Sequence, residues 1–417
     1  MSVTAFSRLG SANAYDNTLS NLTTRQNKLA NLQESLSSGK KITSPSDDPT
    51  GAAQAERALN RLSRIATDQR ALEVQRNAIA TAESTLGDIT SAMQEVRDLV
   101  VSAGNGSFSV AERKTVALQI SGLRERILSL ANSQDSNGQP LFAALGSALK
   151  PFSGPESTQP DYTFNGLPGS ASAGTYAIAP TLDGESAFML QANRDAAYNV
   201  QVSNSALSTD NAVKDPASAF GAINGSAYTV EITAFDNVAN TVSYTLTENP
   251  AVPGSLVSGG ATVPWSKTQG FAVSGMPGLS LNVKGTPSVP PAANDTITVE
   301  PNASVFSTVD HAINDLRSAS NSNAANQAVT QALHNIDISM ARISAVRGQA
   351  GDLLNRADSI TATNDKRNIE QEANRSRAED IDMIQGVSDF QKQQTGYQAA
   401  LQSYAQIQKL SLFNYIS

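Results

Sequence analysis

The sequence contains few residues whose types and spacing could do chemistry, and the first candidates are two adjacent carboxylates. Asp47 and Asp48 lie between Pro45 and Pro49 in a Pro-Ser-Asp-Asp-Pro segment. Paired carboxylates can hold a metal ion or exchange protons. The same pattern is typical of a helix start, because aspartate accepts hydrogen bonds from free backbone amides and proline suits the first helical position. We therefore expect Pro45, Asp47, Asp48 and Pro49 to form a rigid structural turn that caps the next helix.

The other chemically versatile residue types are rare. His311 and His334 are the only histidines, and neither belongs to a His-Glu-X-X-His zinc motif. Cysteine is absent, which excludes disulfides and thiolate metal ligands. The chain also contains no Gly-X-X-X-X-Gly-Lys phosphate loop and no nucleophile elbow. We expect no catalytic, cofactor-binding or metal site, no cofactor, and hence no enzymatic activity.

Charge and hydropathy exclude two further classes of partner. The chain has 38 acidic and 30 basic residues, a net charge of −8, and no basic stripe of the kind that binds nucleic acid. No apolar run approaches the roughly 20 residues that span a bilayer. The first ten residues lack the apolar segment and small-residue cleavage site of a secretory signal. We expect no nucleic-acid partner, no membrane partner and no cleaved signal peptide.

Composition divides the chain into two similar ends and a different middle. Residues 150–308 hold 14 of the 17 prolines, and their 12 acidic and 5 basic residues account for −7 of the net charge. The flanks are nearly neutral and poor in proline. We predict terminal helices over 1–45 and 370–417, a helical-bundle domain over 46–149 and 309–369, and an inserted β-rich, surface-exposed domain over 150–308.

The flanks carry apolar residues at seven-residue spacing, which keeps one seam of a helix against a partner helix. This spacing predicts a helix over about 52–102, a further helix over 116–130, a helical stripe over 333–350, and a last helix over about 365–412. The two clearest seams are Tyr15, Leu22, Leu29 and Leu36, and then Ala58, Ile65, Leu72, Ile79, Leu86, Met93 and Val100.

The middle carries apolar residues at alternate positions, which is the pattern of strands with one buried face. Tyr228, Val230 and Ile232 alternate with polar residues, and a similar segment over 241–248 follows a short Asp236-Asn237 break. These two segments predict a hairpin over 228–248. The predicted fold class is α+β, with long terminal α-helices in a coiled-coil-like bundle and an inserted antiparallel β-rich outer domain.

Two stretches near the N-terminus resemble the signature of the flagellin family. They are Leu-Gln-Glu-Ser-Leu-Ser-Ser-Gly-Lys-Lys-Ile over 32–42 and Ser-Pro-Ser-Asp-Asp-Pro over 44–49. The resemblance covers roughly residues 1–145 and 310–417. It implies subunits that stack helically, with the terminal helices lining an inner tube and the inserted domain facing outward.

The C-terminal tail distinguishes two branches of that family. Residues 396–405 and 410–416 resemble the tail of hook–filament junction members rather than that of filament-forming members. The resemblance implies a structural subunit that assembles as a ring and joins the hook to the flagellin filament. It also implies export through the flagellar channel without a cleaved signal, and an extracellular location on the flagellum.

The same resemblance implies several partners and a set of interface residues. The partners are further copies in the ring, the hook-associated junction protein on the hook side, flagellin on the filament side, and a cytosolic export chaperone. The candidate subunit-interface residues are Tyr15, Leu22, Leu29, Leu36, Tyr397, Leu401, Tyr404, Leu412 and Phe413.

Two alternative functions stay open on the sequence. One is a subunit of the flagellin filament itself. The other is an adhesin or carbohydrate-binding protein that the flagellar scaffold displays, which the acidic middle segment, rich in Thr, Ser and Asn, permits without indicating a ligand.

Overall fold

The structure is a computed structural model that describes residues 4–155, 161–169, 171, 174–210, 213–214, 222–249, 258–285 and 290–416. Within these ranges, the side chains of residues 4–15, 213–214, 258–259 and 407–416 are not described. The chain forms two compact units, one of residues 1–70 with 361–417 and one of residues 71–360.

Eight helices occupy the described part of the chain, and the prediction of long helices in both flanks is confirmed. Two of them begin with capping boxes, in which Ser109 pairs with Glu112 and Ser304 pairs with Ser307. The helices are α1 (Thr4–Ser38), α2 (Pro49–Ala103), α3 (Val110–Ala131), α4 (Gly184–Phe188), α5 (Ala192–Asp195), α6 (Val305–Ser318), α7 (Ser322–Glu379) and α8 (Met383–Ile416).

The described strands form antiparallel sheets, as predicted, and the hairpin of the middle segment is present. Five strands make one sheet in the order β3-β11-β6-β7-β8, β4 and β5 flank β10 in a second sheet that also contains β9, and β1 pairs with β2. The strands are β1 (Phe152–Ser153), β2 (Thr163–Phe164), β3 (Tyr198–Val202), β4 (Leu207–Thr209), β5 (Val213–Lys214), β6 (Ala227–Asp236), β7 (Thr241–Asn249), β8 (Ser258–Pro264), β9 (Phe271–Val273), β10 (Leu279–Gly285) and β11 (Thr296–Pro301).

In the unit of residues 71–360, the seven-residue seam of α2 is buried along its length. Ion pairs join the flanks of α2 and α7. Since increasing residue numbers on α2 meet decreasing numbers on α7, the two helices are antiparallel. The ion pairs are Arg76–Asp358 at 3.1 Å, Glu83–Arg347 at 2.7 Å and Arg97–Asp337 at 2.9 Å. The buried seam residues are Leu72, Ile79, Leu86, Met93 and Val100 on α2, and Ile336, Ile343, Ala350 and Ala357 on α7.

An aromatic cluster joins the start of the middle segment to the helical core. Phe188 lies 5.4 Å from Phe142, 5.1 Å from Phe152 and 5.7 Å from Phe306 of α6, measured between ring centroids. All four rings are buried in the same core as the seams of α2 and α7. The middle segment therefore contributes Phe152, Tyr162, Ile178 and Phe188 to the helical core, beyond the domain boundary that the sequence places at residue 150.

A second core lies between the two larger sheets. The inward residues of β6 and β7, among them Tyr228 and Tyr244, pack with Phe271, Leu281 and other residues of β9 and β10. These residues face the same core because apolar residues alternate along each strand, and every second side chain of a strand points to the same face of its sheet. The described members of this second core lie between Tyr198 and Val299, and Trp265 is buried among them.

The predicted start of the last helix was wrong. The sequence placed it at about residue 365, but α7 continues to Glu379 and α8 begins at Met383. No glycine or proline interrupts residues 352–385, and Asn364, Gln371 and Ala378 continue the seven-residue series of buried positions.

We predict that Phe306→Ala lowers the free energy of unfolding by about 3–5 kcal/mol, because it leaves a cavity among buried aromatic rings. Urea unfolding followed by far-ultraviolet circular dichroism measures this loss. The matched control is Leu118→Ala on α3, whose side chain is 63% exposed and whose change we expect to stay within about 0.5 kcal/mol. Equal losses in the two variants would contradict the assignment of Phe306 to the core.

Candidate assembly surface

The terminal helices α1 and α8 pack against each other in the unit of residues 1–70 and 361–417. Two glycines of α8 permit this close approach. A Cβ at Gly386 would lie 2.9 Å from Leu36 Cδ2, and a Cβ at Gly396 would lie 2.6 Å from Arg25 Nη1. Since Gly386 meets Leu36 and the later Gly396 meets the earlier Arg25, the two helices are antiparallel.

Pairing of α1 with α8 buries only part of the candidate interface residues. Leu22 is 8% exposed, whereas Leu29, Leu36, Tyr397 and Tyr404 are half-buried. In contrast, Leu401 is 43% exposed. Tyr15, Leu412 and Phe413 lie within α1 and α8, but their side chains fall outside the described part of the structure.

An apolar stripe is exposed at the start of α8 in the described chain. Ile384 is 87% exposed, Met383 50% and Val387 43%. On a helix of 3.6 residues per turn, Ile384 lies about 160° around the axis from Gly386, and Val387 lies about 180° from Gly396.

A second exposed apolar surface lies between α2 and α7 in the same unit. It is an open groove of about 630 Å³, and Ile369 on its wall is 72% exposed. Leu62 and Ala373 also line the groove, with Asp365 and Glu372 as its acidic members. Exposed groups of large apolar side chains on a soluble chain mark surfaces that contact other molecules.

Backbone hydrogen bonds tie together the two places where the long helices are interrupted. The amide of Lys41 donates to the carbonyl oxygen of Glu379 at 2.8 Å, and the amide of Ile381 donates to that of Gly39 at 3.0 Å. Lys40 and Glu379 form an ion pair across the same junction. Gly39 has a φ of 72°, in the left-handed region that favours glycine at a helix C-terminus. These ties hold the α1–α2 and α7–α8 connections side by side.

The Pro-Ser-Asp-Asp-Pro segment forms the connection into α2. Asp48 Oδ1 accepts hydrogen bonds from the amide of Gly51 at 3.0 Å and from the amide and hydroxyl of Thr50 at 3.1 and 2.7 Å. Asp47 Oδ2 accepts from the amide of Ser44 at 2.8 Å and from Thr43. Pro49 is the first residue of α2, so Asp48 occupies the capping position.

These hydrogen bonds lower the pKa of both carboxyl groups below the ordinary value for aspartate. The amide of Gly51 is the largest cause that lowers the pKa of Asp48, and that of Ser44 is the largest cause for Asp47. Because each carboxylate is engaged by its own loop, the pair has the geometry of a turn. Among the described residues there is no group of three His, Asp or Glu side chains that could hold a metal ion.

The two histidines lie outside this surface. His311 Nδ1 is 2.6 Å from Asn302 Oδ1 within the helical core region. Burial lowers the pKa of both His311 and His334. Within the described ranges, no helix is long and apolar enough to cross a bilayer.

Two sequence profiles match the chain over its helical ends. The profile for the bacterial flagellin N-terminal helical region matches residues 11–146, and the one for the bacterial flagellin C-terminal helical region matches residues 333–416. Together they cover more than half of the 417 residues. The chain belongs to the flagellin family. The prediction of this family from residues 32–49 is thereby confirmed.

The curated relatives include both hook-associated proteins and flagellins. Polar flagellin C of Vibrio parahaemolyticus is 33% identical over 123 residues, which are 28% of this chain and 30% of that protein. The chain is 32% identical over 145 residues to flagellar hook-associated protein 3 of Salmonella typhimurium. The aligned residues make up 35% of this chain and 46% of that protein. The match thus spans less than half of that curated relative.

Two solved structures share the fold. The Legionella pneumophila flagellar hook associated protein-3 aligns with a TM-score of 0.60 and 24% identity, covering 76% of this chain and 97% of that one. Xanthomonas campestris FlgL aligns with a TM-score of 0.58 and 22% identity, covering 77% and 99%. At these identities the likeness establishes the fold alone.

We predict that Asp48→Ala lowers the stability of the α2 start, because the amides of Thr50 and Gly51 lose their acceptor. Asp48→Asn keeps an acceptor oxygen and serves as the matched control. The capping contribution should be present above the ordinary aspartate pKa of 3.8 and lost as the pH falls through the lowered pKa of the folded state.

Urea midpoints of the wild type and both variants, measured at neutral pH and again in acid, test this prediction. Asp48→Ala should have the lowest midpoint at neutral pH, and the gap should close in acid. A neutral-pH midpoint for Asp48→Ala equal to that of the wild type would contradict the capping role.

Proposed function

We propose that this protein is a non-enzymatic structural subunit of the bacterial flagellum that assembles as a ring and joins the hook to the flagellin filament. The observation that carries the proposal is its 32% identity to a protein named flagellar hook-associated protein 3. Flagellins match at similar identity but over fewer residues, 121 to 133 against 145, so the longer match supports a junction role rather than a role as the bulk filament subunit.

The described part of the candidate assembly surface supports assembly, because several of its apolar side chains remain exposed to solvent in the single chain. Ile384 and Val387 of α8 and Ile369 of the groove are exposed in the unit that contains the paired terminal helices. Their transfer out of water on subunit contact is worth roughly 25 cal/mol per Å² of apolar area. We propose that these residues extend the set of interface residues that includes Leu22, Tyr397 and Leu401.

The partners proposed for this ring follow from the same role. They are further copies of the chain, the hook-associated junction protein on one side, flagellin on the other, and a cytosolic export chaperone before assembly. The proposed location is the extracellular flagellum, reached through the flagellar channel without signal cleavage.

The direct genetic test is deletion of the chain from its own organism. If the chain joins hook to filament, the deletion strain should build hooks, release flagellin into the medium and fail to swim. Complementation with the wild-type chain should restore filaments. A deletion strain that still assembles normal filaments would reject the proposal.

We predict that Ile384→Asp abolishes assembly without unfolding the monomer. The side chain is 87% exposed, so aspartate is tolerated in the free chain but places a charge in the proposed contact. The control is Val238→Asp at the tip of the β6–β7 hairpin, where another β-branched side chain is 94% exposed.

Complementation of the deletion strain and circular dichroism of the purified variants provide the two measurements. We expect Val238→Asp to restore motility and Ile384→Asp to fail, with equal helix content in both. Full motility with Ile384→Asp would remove the exposed stripe of α8 from the interface.

A further inference from the structure

A cavity of about 470 Å³ lies beside the edge strand β3 in the unit of residues 71–360. Its walls come from residues 200–207 of β3 and the following turn, from α6 with the connection after it, and from the first turns of α7. Within the described chain, Asp315 of α6 is the one charged residue that lines it. Val200, Leu207 and Ala328 provide apolar wall area beside the polar groups.

Hydrogen bonds from α7 hold the cavity open in a defined shape. Gln327 accepts from the amide of Thr209 at 3.0 Å and donates to its hydroxyl at 2.7 Å. Asn323 donates to the carbonyl oxygens of Ser205 at 3.0 Å and Leu207 at 2.9 Å. These paired contacts fix α7 to the strand β4 and to the turn before it, so the walls are preformed.

Two acceptors in this cavity have no donor in the described structure. The carboxylate of Asp315 makes no hydrogen bond or ion pair there, and burial raises its pKa to about 7. Gln331 is 2% exposed, and its Nε2 donates to the carbonyl oxygen of Tyr198 at 2.7 Å. Its Oε1 is buried without a partner. A buried acceptor without a donor is costly, and a half-buried carboxylate without a partner is partly desolvated at a further cost.

The chemistry of these two groups selects a ligand class. Both lack donors, and one is a carboxylate, so the complementary group is a cation with N–H donors. A primary ammonium carries one positive charge and three such donors. Divalent calcium requires six or more oxygen ligands and usually several carboxylates, whereas this cavity supplies one carboxylate. The cavity is larger than an ammonium group, and its apolar wall suits the alkyl stem.

We propose that this cavity is a binding site for an alkylammonium group, with Asp315 as the ion-pair partner and Gln331 Oε1 as a second acceptor. A free amine and a lysine side chain of a neighbouring protein present the same group. The site does not depend on the flagellar role, because it is defined by residues of the unit of residues 71–360 alone.

The first experiment titrates the full-length protein with n-butylammonium chloride, in buffer above the pKa of Asp315, and follows carboxyl carbons by NMR with labelled aspartate. We expect saturable binding and a fall of about one unit in the pKa of Asp315, because the bound cation favours the ionised carboxylate. The neutral probe 1-butanol should leave that pKa unchanged.

Variants identify the groups that bind. Asp315→Asn should weaken n-butylammonium binding by about tenfold or more and should fold well, since it removes a half-buried carboxylate that has no partner in the described chain. Gln331→Leu should weaken it less, and Asp88→Asn, an exposed aspartate of α2, should leave it unchanged. Equal binding by Asp315→Asn, equal binding of 1-butanol, or an unaltered titration of Asp315 would overturn the proposal.

A second arm distinguishes the two sources of the ammonium group. Isolated flagellar hooks carrying the chain are treated with a water-soluble carbodiimide, which condenses a carboxylate with an adjacent amine. An isopeptide between Asp315 and a lysine of another chain, found by mass spectrometry, would assign the site to a protein partner. Saturable n-butylammonium binding without that isopeptide would assign it to a free amine, and absence of both would reject the site.

Discussion

The buried seam between α2 and α7 is the contact on which the rest of the structure depends. These helices come from opposite ends of the sequence, and a seven-residue repeat on each keeps one apolar face turned to the other. In the unit of residues 71–360, Leu72 to Val100 fill the α2 side of this seam, and flanking pairs such as Arg97–Asp337 fix its antiparallel register. Because the helices close on each other, the chain between them can carry a long insertion.

The inserted segment packs against the helices at two places. Its first part supplies Phe152 and Phe188 to the helical core, where they pack with Phe306. Its later part builds a separate core between two sheets, and the amides of Gln331 and Asn335 on α7 both donate to the carbonyl oxygen of Tyr198 on β3. The sheet is thus fixed to α7 by buried hydrogen bonds, which cost more to break than exposed ones.

The sequence predicted the features that depend on local periodicity. Seven-residue spacing located the helix found at Pro49–Ala103, and two-residue alternation located the β6–β7 hairpin. It did not predict the aromatic cluster, because those rings meet through contacts between residues far apart in the chain. The sequence placed a domain boundary at residue 308, which lies inside α6, although the Ser304–Ser307 capping box marks the start of that helix. It placed the last helix too early, because the continuing seam through Asn364 and Gln371 is polar and so escapes an apolar pattern.

For the proposed assembly surface, the sequence named candidate helices but not the exposure of each face. Family resemblance pointed to α1 and α8, yet the open stripe at Ile384 and the groove at Ile369 emerge only when burial is known. The most direct measurement is immunogold labelling of this chain on intact flagella. A junction ring predicts gold confined to the distal end of the hook, and gold distributed along the filament would contradict the account.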